Sequence, residues 1–463
     1  MINASENKEN PLAVGKIESL MTKFAVPSII AMLVGALYNI IDQLFIGHSV
    51  GTLGNAATNV AFPLSTSCIA MALLFGIGGA SNFNLAMGRK EQKEAAYYVG
   101  NSVVMLLVSG IVLCIITQLF LNPLLLLFGS PENVLEYAKV YVRITALGFP
   151  FLILTTGGGH LIRADGSPKM TMLCNLSGAI INTVLDAIFV LGLNMGMFGA
   201  GLATIIGQIF SGFMVLWYLR RYKTVKLGLE HLKIQWNYLK RIISLGTASF
   251  FNQLAMMIVQ IALNNLLTHY GAASEYGESI PLACAGIINK VNQVFFSIEI
   301  GIAQGTQPIE SFNYGAGNYT RVKKAYHVAI RVGAVIAIGA FVLFQGFPRQ
   351  IIALFGAGDE LYYKFGINYF RIFLFFTFLN FLQPITSTFF TSIGKPYKGI
   401  FLSLTRQILF LLPLLIVLPM IMGIDGILYA GLVADFMAAI TAVVMAAMEF
   451  RLMNKDIRNK RAV

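Results

Sequence analysis

The segment MGRKEQKEAAY at residues 87–97 returns as AGNYTRVKKAY at residues 316–326, and this echo sets the architecture. Further matches keep an offset of 227 to 229 residues: LFG at 127–129 and 354–356, Arg143-Ile144 and Arg371-Ile372, Gly166-Ser167-Pro168 and Gly394-Lys395-Pro396, Phe198-Gly199 and Asp425-Gly426. Between these punctuation marks the chain is apolar. Runs of membrane-spanning length occur at about 24–46, 60–86, 97–121, 136–158, 168–192 and 198–219, and again at about 242–267, 281–310, 325–346, 363–391, 397–421 and 424–448. Six spans per half is an even number, so the halves share one orientation and are related by an axis along the membrane normal. The expected fold is an all-α integral membrane protein of twelve transmembrane helices in two six-helix lobes related by an internal repeat. The expected boundaries are residues 1–220 for the N-terminal lobe, 221–241 for a linker and 242–463 for the C-terminal lobe, with a central cleft as the default substrate site.

Composition supports this reading. The 463 residues are 57% hydrophobic and 12% charged, with mean hydropathy +0.72, whereas soluble domains carry roughly 25% charged residues. Twelve spans of about 20 residues take about 240 residues, leaving no room for a large extramembrane domain. The net charge of +12 follows from loop lysines and arginines facing anionic lipid, so no nucleic-acid partner is expected. With the N-terminus placed in the cytoplasm, the inside segments hold 26 of the 33 Lys and Arg residues, so both termini are expected inside, and the expected location is a plasma membrane. The linker interleaves Arg220, Arg221, Lys223, Lys226, Lys233, Lys240 and Arg241 with Leu232, Ile234, Trp236 and Tyr238, as a membrane-surface segment does. Asn3 and Asn318 head Asn-x-Ser/Thr sequences on this inner side, where glycosylation is not expected.

No phosphate-binding loop and no HExxH occurs, the five His residues are scattered, and Cys68, Cys114, Cys174 and Cys284 lack metal or disulfide spacing. No enzyme chemistry and no cofactor is expected. The informative residues are then the ionisable groups inside spans, each costly in lipid. Asp42 lies 18 residues beyond Phe24 and Asp186 18 residues beyond Pro168, so both carboxylates stand about 27 Å up from the inner side. Asn182 is one turn from Asp186, and Thr204 is six residues into the descending sixth span, at the same level. This set suits sodium as a hard cation, and it equally suits a shared proton; alternatively each Asp caps a neighbouring helix end. Pro27 and Pro63 permit a bend, and a bending first helix would couple Asp42 to cleft shape. The eighth span carries Asn289, Lys290, Asn292, Gln293, Glu299, Gln304 and Gln307 and is too polar for lipid. Glu299, Asn292, Gln293 and Phe296, with Gln253 and Gln260 of the seventh span, are candidates for the cleft wall and a cationic amphipathic substrate. Glu299 is alternatively an internal ion pair with Lys290 or Arg406, and Arg406 with Asp435 reads as a structural pair.

Four segments together carry a resemblance: DQLFIGH (42–48), NTVLDAIFV (182–190), GAGLAT (199–204) and QPIESFNYGAGN (307–318). Over nearly its whole length the chain resembles the multidrug and toxic compound extrusion family of cation-coupled antiporters. The resemblance implies export of amphipathic, mainly cationic compounds in exchange for protons or sodium, by alternating access of two lobes in a monomer. It looks like the branch whose coupling carboxylates lie in the N-terminal lobe, which places the ion-linked group on Asp42, Asn182, Asp186 and Thr204. The other branch uses acids in spans seven and ten, where this chain has Gln253, Gln260 and Asn264 instead. A flippase for a lipid-linked precursor is the rival within the superfamily, but the mid-membrane acids Asp42, Asp186, Glu299 and Asp435 outnumber Lys290 and Arg406, against an anionic cargo.

Overall fold

The computed structural model describes residues 10–277, 279–354 and 359–462. Asn3 and the last two residues of the LFG echo, at 355–356, lie outside the described residues. Twelve long helices dominate the remainder. In chain order they are α1 Ile17–Ser49, α2 Leu53–Gly88, α3 Gln92–Leu119, α4 Glu132–Ala164, α5 Pro168–Gly192, α6 Gly196–Leu219, α7 Trp236–Ala272, α8 Ser279–Gly315, α9 Tyr319–Gly346, α10 Glu360–Ser392, α11 Pro396–Met422 and α12 Ile424–Arg458. Eleven of them are long and apolar enough to cross a membrane. The twelfth, α8, has the same length but carries the polar row from Asn289 to Glu310 that sets it apart.

The repeat read from sequence has a backbone cause. Gly166 and Gly394 both take a left-handed conformation, with φ of 80° and 74°, and the proline two residues later opens α5 and α11 at its first position. Glycine supplies the positive φ without a Cβ clash, and proline at N1 gives up only a donor that would be unpaired there. Both helices then break regularity in the same way, with π-turns at Ala187–Gly192 in α5 and Thr405–Leu411 in α11. Such turns recur at functional sites because they rotate the following side chains out of the α-helical register.

Apolar burial divides into two cores. One joins Ile46 through Ile242, and the other joins Val259 through Met453 together with Leu12, Ile17, Leu20, Met21 and Phe24. The first turns of α1 therefore pack within the second core, although α1 is the first helix of the N-terminal half in sequence. Asn313 Nδ2 and Arg321 Nη2 both donate to the Leu12 carbonyl, at 3.0 and 3.1 Å, which fixes this start segment. The connection from α6 to α7 forms a single short 3-10 turn, Leu229–Leu232, and is latched to α3. Asn101 Nδ2 donates to the carbonyls of His231 and Lys233, and its Oδ1 accepts from Gln235 N at 2.8 Å. Trp236, Ile234 and Leu229 remain exposed, as a segment lying on a membrane surface requires.

Candidate functional site

Two glycines assemble the site in the N-terminal lobe. A Cβ on Gly207 of α6 would lie 2.7 Å from the Gly178 carbonyl of α5, and one on Gly178 would lie 2.1 Å from Ser211 Oγ. Only bare backbone permits this approach, and it brings Asn182 against Thr204, whose side chains hydrogen-bond at 3.3 Å. The Thr204 hydroxyl in turn donates to the Ala200 carbonyl at 2.9 Å. One turn beyond Asn182, Asp186 ends the regular helix where the π-turns begin. α1 packs along α5, so the Asp42 carboxyl faces that of Asp186.

All four residues are buried: Asp186 is 0% exposed, Asn182 2%, Thr204 5% and Asp42 7%. The depth reading from sequence thus places them at one level, and the tertiary structure brings them together. Two neighbours escaped that reading. Tyr38 stands one turn before Asp42 on α1, and Tyr141 reaches in from α4; both phenols lie beside Thr204 and within electrostatic reach of the two carboxyls. The i, i+4 spacing from Asp42 was a usable signal for Tyr38. Tyr141 had none, because only packing of α4 on α6 brings it there.

The arrangement is rich in acceptors. Asp42 Oδ1, both Asp186 carboxylate oxygens and Asn182 Oδ1 are buried without a hydrogen-bond partner. A buried carboxylate without donors is costly, and a proton or small hard cation relieves that cost. Oxygen-only donors of this kind fit sodium and exclude soft transition metals.

The other candidates separate into two groups. On α7 and α8, Asn264, Gln260 and Asn289 form an amide chain: Gln260 Nε2 donates to Asn264 Oδ1 at 2.9 Å and Asn289 Nδ2 donates to Gln260 Oε1 at 3.2 Å. Gln253, Asn292 and Phe296 are half-buried and Gln293 is exposed. Glu299, by contrast, is 0% exposed and sits inside the C-terminal lobe. The expected pair between Arg406 and Asp435 forms at 2.5 Å.

Close approaches between the lobes gather toward the end of the bundle that bears the 220–241 linker. A Cβ on Gly78 of α2 would lie 2.0 Å from the Ile242 carbonyl of α7, and one on Gly246 would lie 1.8 Å from the Leu74 carbonyl. Gly301 and Gly305 of α8 press on Ile29 and Ala25 of α1, and Gly88 on the Phe312 carbonyl. Polar ties lie in the same layer, with Gln307 Nε2 donating to Ser81 Oγ at 2.7 Å and Asn82 Nδ2 to the Arg241 carbonyl at 3.0 Å. Each of these contacts lies in the linker-side half of its helix.

Comparisons with known proteins agree with this architecture. The MatE family profile matches residues 27–188 and 248–417, one stretch in each half. "Multidrug export protein MepA" of Staphylococcus haemolyticus is 25% identical over 424 residues, covering 91% of this chain and 92% of that protein. "Probable multidrug resistance protein YoeA" of Bacillus subtilis is 25% identical over 373 residues, covering 77% and 79%. Among solved structures, one described as "Outward-facing conformation of a multidrug resistance MATE family transporter of the MOP superfamily" superposes with a TM-score of 0.89 at 23% identity, over 97% of this chain and 99% of the other. A MOP superfamily transporter from Pyrococcus furiosus gives the same TM-score at 22% identity, covering 96% and 98%.

Proposed function

The chain belongs to the MatE family, and from that premise we propose that it exports amphipathic, mainly cationic compounds from the cytoplasm in exchange for protons or sodium. The observation that carries the coupling is the set of four unpartnered buried oxygens on Asp42, Asn182 and Asp186. Thr204 holds the Asn182 amide by its nitrogen, which leaves the amide oxygen free for the ion. The curated relatives with multidrug names support the export reading, and the half-exposed amides and Phe296 on α7 and α8 support a cleft for organic cations.

α1 is the element that would join ion to cleft. Its start packs in the C-terminal core and against Gly301 and Gly305, while Asp42 near its other end belongs to the carboxylate site. Pro27 stands between, where the missing N–H leaves one rung of the helix ladder open and a bend cheap. Filling the Asp42–Asp186 site in one arrangement and the organic cleft in the other couples the two ligands by linkage, whichever binds first. The protein would act as a monomer in a plasma membrane, with the linker and both termini in the cytoplasm, held there by the basic residues and by the exposed Trp236.

The test is ethidium movement in proteoliposomes under imposed sodium or proton gradients. Gradient-driven transport that is lost in both Asp42→Asn and Asp186→Asn supports the reading and identifies the ion. Transport surviving both substitutions moves coupling elsewhere, and a wild type that moves no ethidium favours a lipid-linked cargo.

A further inference from the structure

Packing decides which charges the cleft presents to a ligand. Asp42, Asp186, Glu299, Arg406 and Asp435 are all buried within the lobes, and Arg406 and Asp435 satisfy each other at 2.5 Å. Lys290 differs from them. It is half-buried, and among the described residues it has neither a hydrogen-bond nor an ion-pair partner. It stands eleven residues into α8, about 16 Å from the end away from the linker, too deep for its ammonium to reach the lipid headgroups.

The face of α8 that carries Lys290 is open. Cys284, Ile288 and Phe295 turn into the C-terminal core. Gly286, Lys290 and Gln293 each lie two residues from one of these, about 200° round the helix axis. A Cβ on Gly286 would meet nothing within 4 Å, and Gln293 is exposed. A lysine and a glutamine on one face are costly against lipid, so this stripe lines the cleft. Beside it, Asn289 ties α8 to Gln260 of α7, whose amide reaches on to the exposed Asn264. Neither helix exposes a carboxylate: α7 has none, and Glu299 and Glu310 of α8 are buried. The accessible wall therefore offers amides and one ammonium.

We propose that Lys290 is the charge-selecting residue of the cleft and holds the carboxylate of an amphipathic organic acid, so that the protein takes such acids as well as cations. This rests on the reading of the α7–α8 wall as the substrate surface. A single ammonium is matched by the single charge of a carboxylate, whereas a phosphomonoester, at about −1.5 to −2, would stay uncompensated. Away from bulk water the charge-assisted hydrogen bond gains strength, and the unpartnered ammonium has no internal anion to give up when the ligand arrives. The same charge repels an organic cation at this level, so cations bind elsewhere on the wall.

The experiment measures, by fluorescence anisotropy, the binding of two matched probes to the purified full chain: pyrenebutyrate and pyrenebutyl-trimethylammonium, which share an apolar body and differ in charge. Lys290→Ala is expected to weaken the carboxylate probe roughly 10- to 100-fold, the loss of one charge-assisted hydrogen bond, and to leave the ammonium probe unchanged or more tightly bound. Lys290→Arg keeps the charge and is expected to hold carboxylate binding within a few-fold of wild type. The proposal is overturned if Lys290→Ala leaves the carboxylate probe unchanged, or if it weakens both probes equally, as a structural lysine would. Ethidium movement by wild-type proteoliposomes separates this failure from that of the reading beneath it. Ethidium moved while the carboxylate probe does not bind refutes the role of Lys290 alone, whereas no ethidium movement and no binding of either probe refutes the substrate surface as well.

Discussion

A single methyl group at Gly78 should open the linker end of the bundle. Its Cβ would lie 2.0 Å from the Ile242 carbonyl oxygen, against the 3.4 Å at which ordinary contact begins, so α2 and α7 must separate by at least the difference, 1.4 Å. The obstacle is backbone on a long helix and cannot be relieved by a rotamer change. Overpacking of this kind costs about 1–3 kcal/mol, and here the cost falls only on the arrangement in which the two helices touch. Released into a two-state equilibrium, it shifts populations by roughly 5- to 150-fold toward the arrangement with this end open. The shift can be read by electron–electron distance measurements between spin labels at Lys93→Cys and Lys455→Cys, both exposed at the linker end of opposite lobes, in a background without native cysteines. Gly78→Ala should lengthen the distance distribution, Gly246→Ala should do the same, and Gly339→Ala, whose Cβ would meet nothing within 4 Å, should leave it unchanged. An unaltered distribution in Gly78→Ala with the fold intact would refute the idea that these glycines hold the lobes together.

Other residues give independent checks. Pro27→Ala restores the missing N–H and stiffens α1, so gradient-driven export should fall several-fold while the melting temperature holds or rises; unchanged export would remove Pro27 from the coupling path. Tyr38→Phe and Tyr141→Phe remove hydroxyls beside Thr204, and each should weaken ion-dependent thermal stabilisation without abolishing it, as expected for groups that orient the site. Asn101→Ala frees three linker backbone groups and should cost about 1–3 kcal/mol, seen as a lower melting temperature and new proteolysis between residues 226 and 236. Asp165 accepts from Tyr218 Oη, Thr224 Oγ1 and the backbone N–H groups of Lys223 and Thr224, so Asp165→Ala should destabilise the N-terminal lobe by a similar or larger amount, with ion binding at Asp42 retained.

Sequence by itself determined the number of long helices and the apolar stretch of each, because a hydrocarbon layer about 30 Å thick demands about 20 apolar residues per helical span; the helices run up to 11 residues longer than those stretches, as α7 does from Trp236 to Ala272. It determined the repeat as well, since a left-handed turn before a helix needs glycine and the first helical position welcomes proline, as at Gly166–Pro168 and Gly394–Pro396. Helix periodicity placed Asp42, Asn182, Asp186 and Thr204 at one depth. Rotation about a helix axis and the choice of neighbour are not written in hydropathy, however, because lipid and apolar core look alike to a leucine. Only the tertiary structure decided that Gly178 and Gly207 draw α5 and α6 together, that Tyr141 joins the carboxylates, and that the start of α1 packs with the far lobe. It also decided the environment of Glu299. A glutamate amid polar neighbours on α8 reads as a cleft residue until packing turns it inward, within electrostatic reach of the Arg406–Asp435 pair.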